Sequence, residues 1–205
     1  MKSVQNYQKN VFINCPFDKD YDAIFNAILF TVHKCGFILR CSKEFDNSNS
    51  IRIKNIVRLI KESQYSIHDL SRVTLSGTSN LPRFNMPLEL GIFIGAIEFG
   101  STSHRKKEYI VLESDQFRFK QFISDISGSD IKSHEGKVDV AIKCVRDWLS
   151  NISSEKIPSA SKIVEMYHLF SNELPELCSE SKWIPNELTF EEYSSLVTNW
   201  LLAES

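Results

Sequence analysis

No apolar stretch in this 205-residue chain is long enough to span a bilayer. The opening "MKSVQNYQKN" is polar and runs straight into a strand, so no secretory leader is expected there. Charge of one sign is not in excess either. Lys and Arg total 24 against 26 Asp and Glu, a net of −2, which offers no basic field to nucleic acid or to an anionic membrane. The five cysteines, Cys15, Cys35, Cys41, Cys144 and Cys178, show no CxxC and no Cys/His metal spacing. An odd, scattered set reads as free thiols in a reducing cytoplasm, with no metal site. Neither GxGxxG nor GxxxxGK[ST] occurs, which removes the dinucleotide fingerprint and the P-loop. No GxSxG elbow occurs, and the histidines give no legible Ser/His/Asp triad. Repeats and low-complexity tracts are also missing.

What remains is ordinary globular material, 42% apolar and 24% charged, enough for one α/β domain with a small appendage. Four apolar, β-prone runs stand out: "VFINCPF" (11–17), "FILRC" (37–41), "YSIHDLS" (65–71) and "EYIVLES" (108–114). Helical spacing fills the gaps at 20–36, with Gly36 as its terminator, and at 51–63, 87–99 and 137–152; a short helix is expected at 117–126. Strands alternating with helices predict a flavodoxin-like or Rossmann-like parallel sheet sandwiched by helices, over residues 1–152. After the polar linker 153–161, helices near 161–174 and 189–203 form a C-terminal helical appendage over 161–205, suited to packing or oligomer contacts. Thr189 and Glu192 have capping-box spacing at the second.

A ligand of such a sheet binds outside the carboxyl ends of its strands. The first strand delivers Asn14, Phe17 and Asp18 to that rim, the second Arg40, the third Asp69, and the long loop 72–86 delivers Arg83, Asn85 and then Glu89. Phe17 can stack on a base, and Arg40, Arg72 and Arg83 can grip a diphosphate. Asn85 suits a helix cap or a hydroxyl contact. Asp69 and Glu89 arrive as two carboxylates. A pair of carboxylates is the usual equipment for cleaving a glycosidic bond through an oxocarbenium-like transition state. His68 should face away from Asp69 and pack under a helix, because neighbours on a strand point to opposite faces. Cys15 has no activating His nearby and is not expected to act as a nucleophile. Gly91 and Gly95 would let their helix lie close to the sheet.

One rival reading of Glu89 stays open. With a helix starting at Pro87, Glu89 is the N3 partner of a cap at Met86, favoured by the helix dipole.

"VFINCPFD", "SIHDLS" and "NMPLELGIFIGA" resemble the TIR-like and nucleoside 2-deoxyribosyltransferase-like superfamily, over roughly residues 10–115. Glu89-Leu90-Gly91 and Ala96 are similar to the deoxyribosyltransferase nucleophile helix, Asp69 to its strand-end acid, and Val11-Phe12-Ile13 to the first TIR strand. The first-strand turn departs from the deoxyribosyltransferase pattern at Asn14-Cys15-Pro16-Phe17. The segment before the glutamate departs from the TIR pattern at Arg83-Phe84-Asn85-Met86. The resemblance implies an enzyme that cleaves an N-glycosidic bond, with Glu89 and Asp69 catalytic; the cysteine usage places it in the cytoplasm. Asn14, Phe17, Asp18, Arg40, Arg83 and Asn85 would bind substrate. NAD⁺ would be the substrate rather than a cofactor, and the product a hydrolysed or cyclised signalling nucleotide of the kind bacteria use in antiphage defence. A nucleoside deoxyribosyltransferase-like N-glycosidase and a non-catalytic nucleotide-sensing or oligomerising module are the alternatives. A homo-oligomer or a defence-system partner protein would accompany it.

Overall fold

The structure is a computed structural model that describes residues 6–45, 51–72, 75–76, 81–82, 84–126, 128 and 131–204. Five parallel strands form its sheet: β1 (Asn10–Asn14), β2 (Ile38–Arg40), β3 (Tyr65–Asp69), β6 (Glu108–Glu113) and β7 (Ile131–Ser133), in the order β2-β1-β3-β6-β7. A separate small hairpin pairs β4 (Leu75–Ser76) with β5 (Leu81–Pro82). The helices are α1 (Asp22–Lys34), α2 (Arg52–Glu62), α3 (Asn85–Phe99), α4 (Val138–Ile152), α5 (Ala160–Glu180) and α6 (Phe190–Ala203). This is the flavodoxin-like layout expected from the alternation of strand and helix. Among the described residues no helix is long and apolar enough to cross a membrane.

The strands obey the two-residue period. Val11, Ile13, Tyr65, Ile67, Ile110 and Leu112 enter the large core under α1 and α4. Phe12 joins Ile56, Leu59, Ile60 and Phe93 on the other face, under α2 and α3. Both faces are covered, so every residue of β1 and β3 is buried. Gly36 ends α1 at φ +79°, with its N–H on His33 O (2.9 Å) and Phe37 N–H on Val32 O (3.0 Å).

The C-terminal helices continue the large core. Ile163, Phe170, Val197 and Trp200 share it with Ile24 and Phe30. Phe30 meets Phe170 and Trp200 at ring-centroid distances of 5.5 and 5.9 Å. Thr189 and Glu192 close the capping box, through Glu192 N–H to Thr189 Oγ1 (3.3 Å) and Thr189 N–H to Glu192 Oε2 (2.8 Å).

Four expectations need correction. A fifth strand, β7, exists; its three residues pair with Val111–Glu113 of β6. Residues 117–126 form two short 3₁₀ turns rather than one helix. Helix α5 runs to Glu180, through Pro175, because Cys178 on its last turns is buried in the core. Gly91 and Gly95 do not ease α3 toward the sheet: a Cβ on either would meet nothing within 4 Å.

Candidate functional site

The chain runs from β1 out to β2 on one side, then returns to β3 on the other. The carboxyl ends of β1 and β3 therefore flank the switch point, where open α/β sheets take their ligands.

Asn14 ends β1 and is buried. Its amide donates to Met86 O (2.8 Å) and to His68 Nδ1 (3.0 Å). The first contact ties the start of α3 to the switch point. The second makes Nδ1 an acceptor, so Nε2 carries the His68 proton and donates to Ser66 Oγ (2.8 Å), which in turn donates to Phe12 O (2.9 Å). His68 is wholly buried, packs edge-on against Phe93 of α3 and faces away from Asp69, as strand alternation requires. Burial lowers its pKa to about 3, so it stays neutral.

Glu89 is 6% exposed. Helix α3 begins at Asn85, two residues before Pro87, with Leu88 N–H already bonded to Phe84 O (3.0 Å). Glu89 is thus the fifth helical residue, not the third, and the first turn holds no acid and no side-chain cap. That geometry removes the capping reading. Among the described residues the Glu89 carboxyl has neither a hydrogen-bond nor an ion-pair partner. Burial raises its pKa to about 7, against a weaker pull from Arg52.

Asp69 differs in every respect. Oδ1 accepts Ser71 N–H (2.8 Å), and Oδ2 accepts the Tyr21 hydroxyl (2.5 Å) and His134 Nε2 (3.1 Å). Burial pushes its pKa up, but His134, Ser71 and Tyr21 outweigh this and hold it below the usual carboxylate value. Its exposure is 0%, and its side chain turns to the α1 face while Glu89 comes from α3 on the other. Both Asp69 oxygens are thus spent inside the protein, whereas the Glu89 carboxyl is not. Asp69 organises the rim, and Glu89 is the acid left without partners there. Both charges reach Cys15: its thiol is pushed well up by burial, then by Asp69 and, more weakly, Glu89, with Lys43 opposing.

His134, just past β7, is the main residue that sequence reasoning missed. Its Nδ1 accepts Gly136 N–H (3.0 Å), and its Nε2 serves both Asp69 and Ser71 Oγ (2.8 Å). A nucleophilic triad needs the serine and the acid on different ring nitrogens. Here both share one, so Asp69, His134 and Ser71 form a brace and not a triad. Tyr21 and Arg118 were missed as well. Arg118 Nη2 donates to Leu70 O, Ser71 O and Glu113 Oε1 (3.1, 2.6 and 2.8 Å), fastening the ends of β3 and β6 together. Among the described residues Glu113 Oε2 is buried with no partner, and burial raises the pKa of this acid.

The remaining expected residues are mostly engaged with the protein. Phe17 is half-buried, edge-on to Phe25 (5.6 Å) and under Lys43 (5.1 Å). Asp18 pairs with Arg72 (3.2 Å), which also reaches Asp20 (3.1 Å). Arg40 forks onto both oxygens of Glu44 (2.9 Å each) and touches Glu62 (3.5 Å), so its guanidinium is not free for a diphosphate. Asn85 is exposed at the first position of α3 and makes no cap. Arg83 and most of the loop before it lie outside the described residues. A cleft of about 430 Å³ beside the site is lined by Lys19, Lys43, Asn186 and Phe190, and Glu89 is not part of it.

Comparison with protein-family models, curated proteins and solved structures finds no match to this chain.

Proposed function

We propose that this protein cleaves an N-glycosidic bond of a nucleoside or nucleotide, with Glu89 as the acid that meets the ribose. The observation that carries the reading is Glu89 itself: buried, without partners among the described residues, and with a pKa near 7 at the switch point. Glycosidic cleavage passes through a positive charge at C1′, and a desolvated carboxylate beside it stabilises that charge strongly. The carbon–nitrogen bond breaks with its electron pair going to the base. Water or a substrate hydroxyl then attacks C1′, and Glu89 takes the proton. A base with a pKa near neutrality is well matched to that step. Asn14 and the Asp69–His134 brace act by positioning, since both are buried and internally bonded.

NAD⁺ is the first substrate to test, with hydrolysis or cyclisation to a signalling nucleotide of antiphage defence as the outcome. One observation favours a second reading, a deoxyribosyltransferase-like N-glycosidase acting on nucleosides. Arg40 and Arg72 are already paired with carboxylates, which leaves less to hold a diphosphate. Incubation of the purified protein with NAD⁺ and with deoxynucleosides, read by mass spectrometry, decides between them. Glu89→Gln should abolish turnover with the fold intact. No product from either substrate class, beside an active control enzyme, would reject the proposal.

A further inference from the structure

A second cleft lies at the opposite, amino edge of the sheet. It has a volume of about 940 Å³ and is walled by α2, by Tyr7 ahead of β1, and by the connection from α3 to β6. Lys54, Arg58 and Lys61 line it at i, i+4 and i+7, one stripe of α2. Glu62 is the single acid among the described lining residues. It pairs with Arg58 through Nε (3.0 Å) and more distantly with Arg40 Nη2 (3.5 Å). Lys54 and Lys61 have no ion-pair partner among the described residues. The positive field is felt locally. His104 on the far wall is held below its ordinary pKa by burial first, then by Lys107 and Lys61. In a chain of net charge −2 this concentration runs against the overall balance.

Seven residues of helix separate Lys54 from Lys61, about 10 Å along the axis. A single phosphate would engage one end of that stripe, whereas a chain of two or three would engage all of it. Beside the cations, Val57 is 47% exposed and the Tyr7 ring closes the inner end, with its hydroxyl donating to Ser103 O (3.1 Å). Those surfaces suit a flat apolar group attached to the phosphates.

We propose that this cleft binds an oligophosphate, with Lys54, Arg58 and Lys61 along the phosphate chain and Val57 and Tyr7 against whatever the chain carries. Two sources share that chemistry, a nucleoside triphosphate and inorganic triphosphate. The cleft is separate from Glu89, so the proposal stands or falls without the glycosidase reading.

The test is calorimetric titration of the full chain with ATP and with inorganic triphosphate, in low and moderate salt. The expected result is saturable one-to-one binding that weakens with salt and falls at least about tenfold in the Lys54→Glu/Lys61→Glu variant. Both lysines are on an exposed helix face, and circular dichroism of that variant, with the milder Lys54→Gln as a second, checks folding. Tighter binding of ATP identifies the nucleotide as the ligand, and equal binding identifies the bare oligophosphate. Absence of saturable binding for both ligands, undiminished binding in the double variant, or binding of single-stranded DNA without binding of triphosphate would overturn it.

Discussion

Glu89→Gln should make this protein more stable above neutral pH, whatever the protein does. An unfolded glutamate ionises near 4.5, and the folded Glu89 near 7. Between those values the folded state holds the proton more firmly, so native Glu89 destabilises the fold increasingly as pH rises from 4.5 to 7. The full difference corresponds to roughly 3 kcal/mol once both states are ionised, at 1.36 kcal/mol per pKa unit. At pH 5 less than about 1 kcal/mol of it is present. The gap between wild type and Glu89→Gln should therefore widen by about 1–2.5 kcal/mol from pH 5 to pH 8, the upper figure being the full effect and the lower allowing for relaxation around the charge. Urea unfolding of both proteins at the two pH values measures it. A constant gap, or a less stable variant at pH 8, would show that Glu89 is not held in a desolvated setting, and the case for its chemistry would fall too.

Other perturbations test the rest of the structure. Gly95→Ala, in the middle of α3 with open space where a Cβ would go, should stabilise by about 0.5–1 kcal/mol; a loss in thermal midpoint would mean the glycine is needed for packing. Buried neutral His68, with its folded pKa near 3, contributes stability that is complete above about pH 6.5 and is lost progressively as pH falls toward 3. Replacing it with Phe should flatten that part of the stability–pH curve, which acid titration followed by circular dichroism reads directly. Tyr21→Phe deletes a donor to the buried Asp69 carboxylate and should cost about 1.5–3 kcal/mol in denaturant melts near neutral pH, a cost that shrinks as acid protonates Asp69. Phe170→Ala empties a fully buried site between Phe30 and Trp200 and should cost about 3–5 kcal/mol.

Strands β1, β2, β3 and β6 were legible because buried parallel strands lie in continuous apolar runs, and "VFIN" and "YSIHD" are bounded by Pro and by polar loops. Strand β7 was not, because "IKS" is too short and too polar to show any period; only its pairing with β6 defines it. His134 was hidden for the same reason, since a histidine in "SHEG" carries no pattern until β7 places it beside Asp69. The role of Glu89 was only half legible. Pro87 looked like the start of a helix, whereas proline is tolerated anywhere in the first turn, where no N–H is needed, and the helix begins at Asn85. Asp69 read as a free strand-end acid, and only the placement of Tyr21 and His134 shows its carboxylate to be bonded within the protein. Helix α5 passed through Pro175 because burial of the following turn outweighs one missing backbone bond.

The sharing of Phe30 with Phe170 and Trp200 has a consequence for synthesis. Phe190, the first residue of α6, follows Lys34, the last of α1, by 156 residues. While the chain emerges from the ribosome, the outer flank of its first helix must wait for its last helix to be made. Until then Phe30 and its neighbours present a greasy surface that chaperones recognise and proteases exploit. A nascent chain stalled before Phe190 should therefore be cleaved near α1 far faster than the finished protein, although both contain every strand of the sheet.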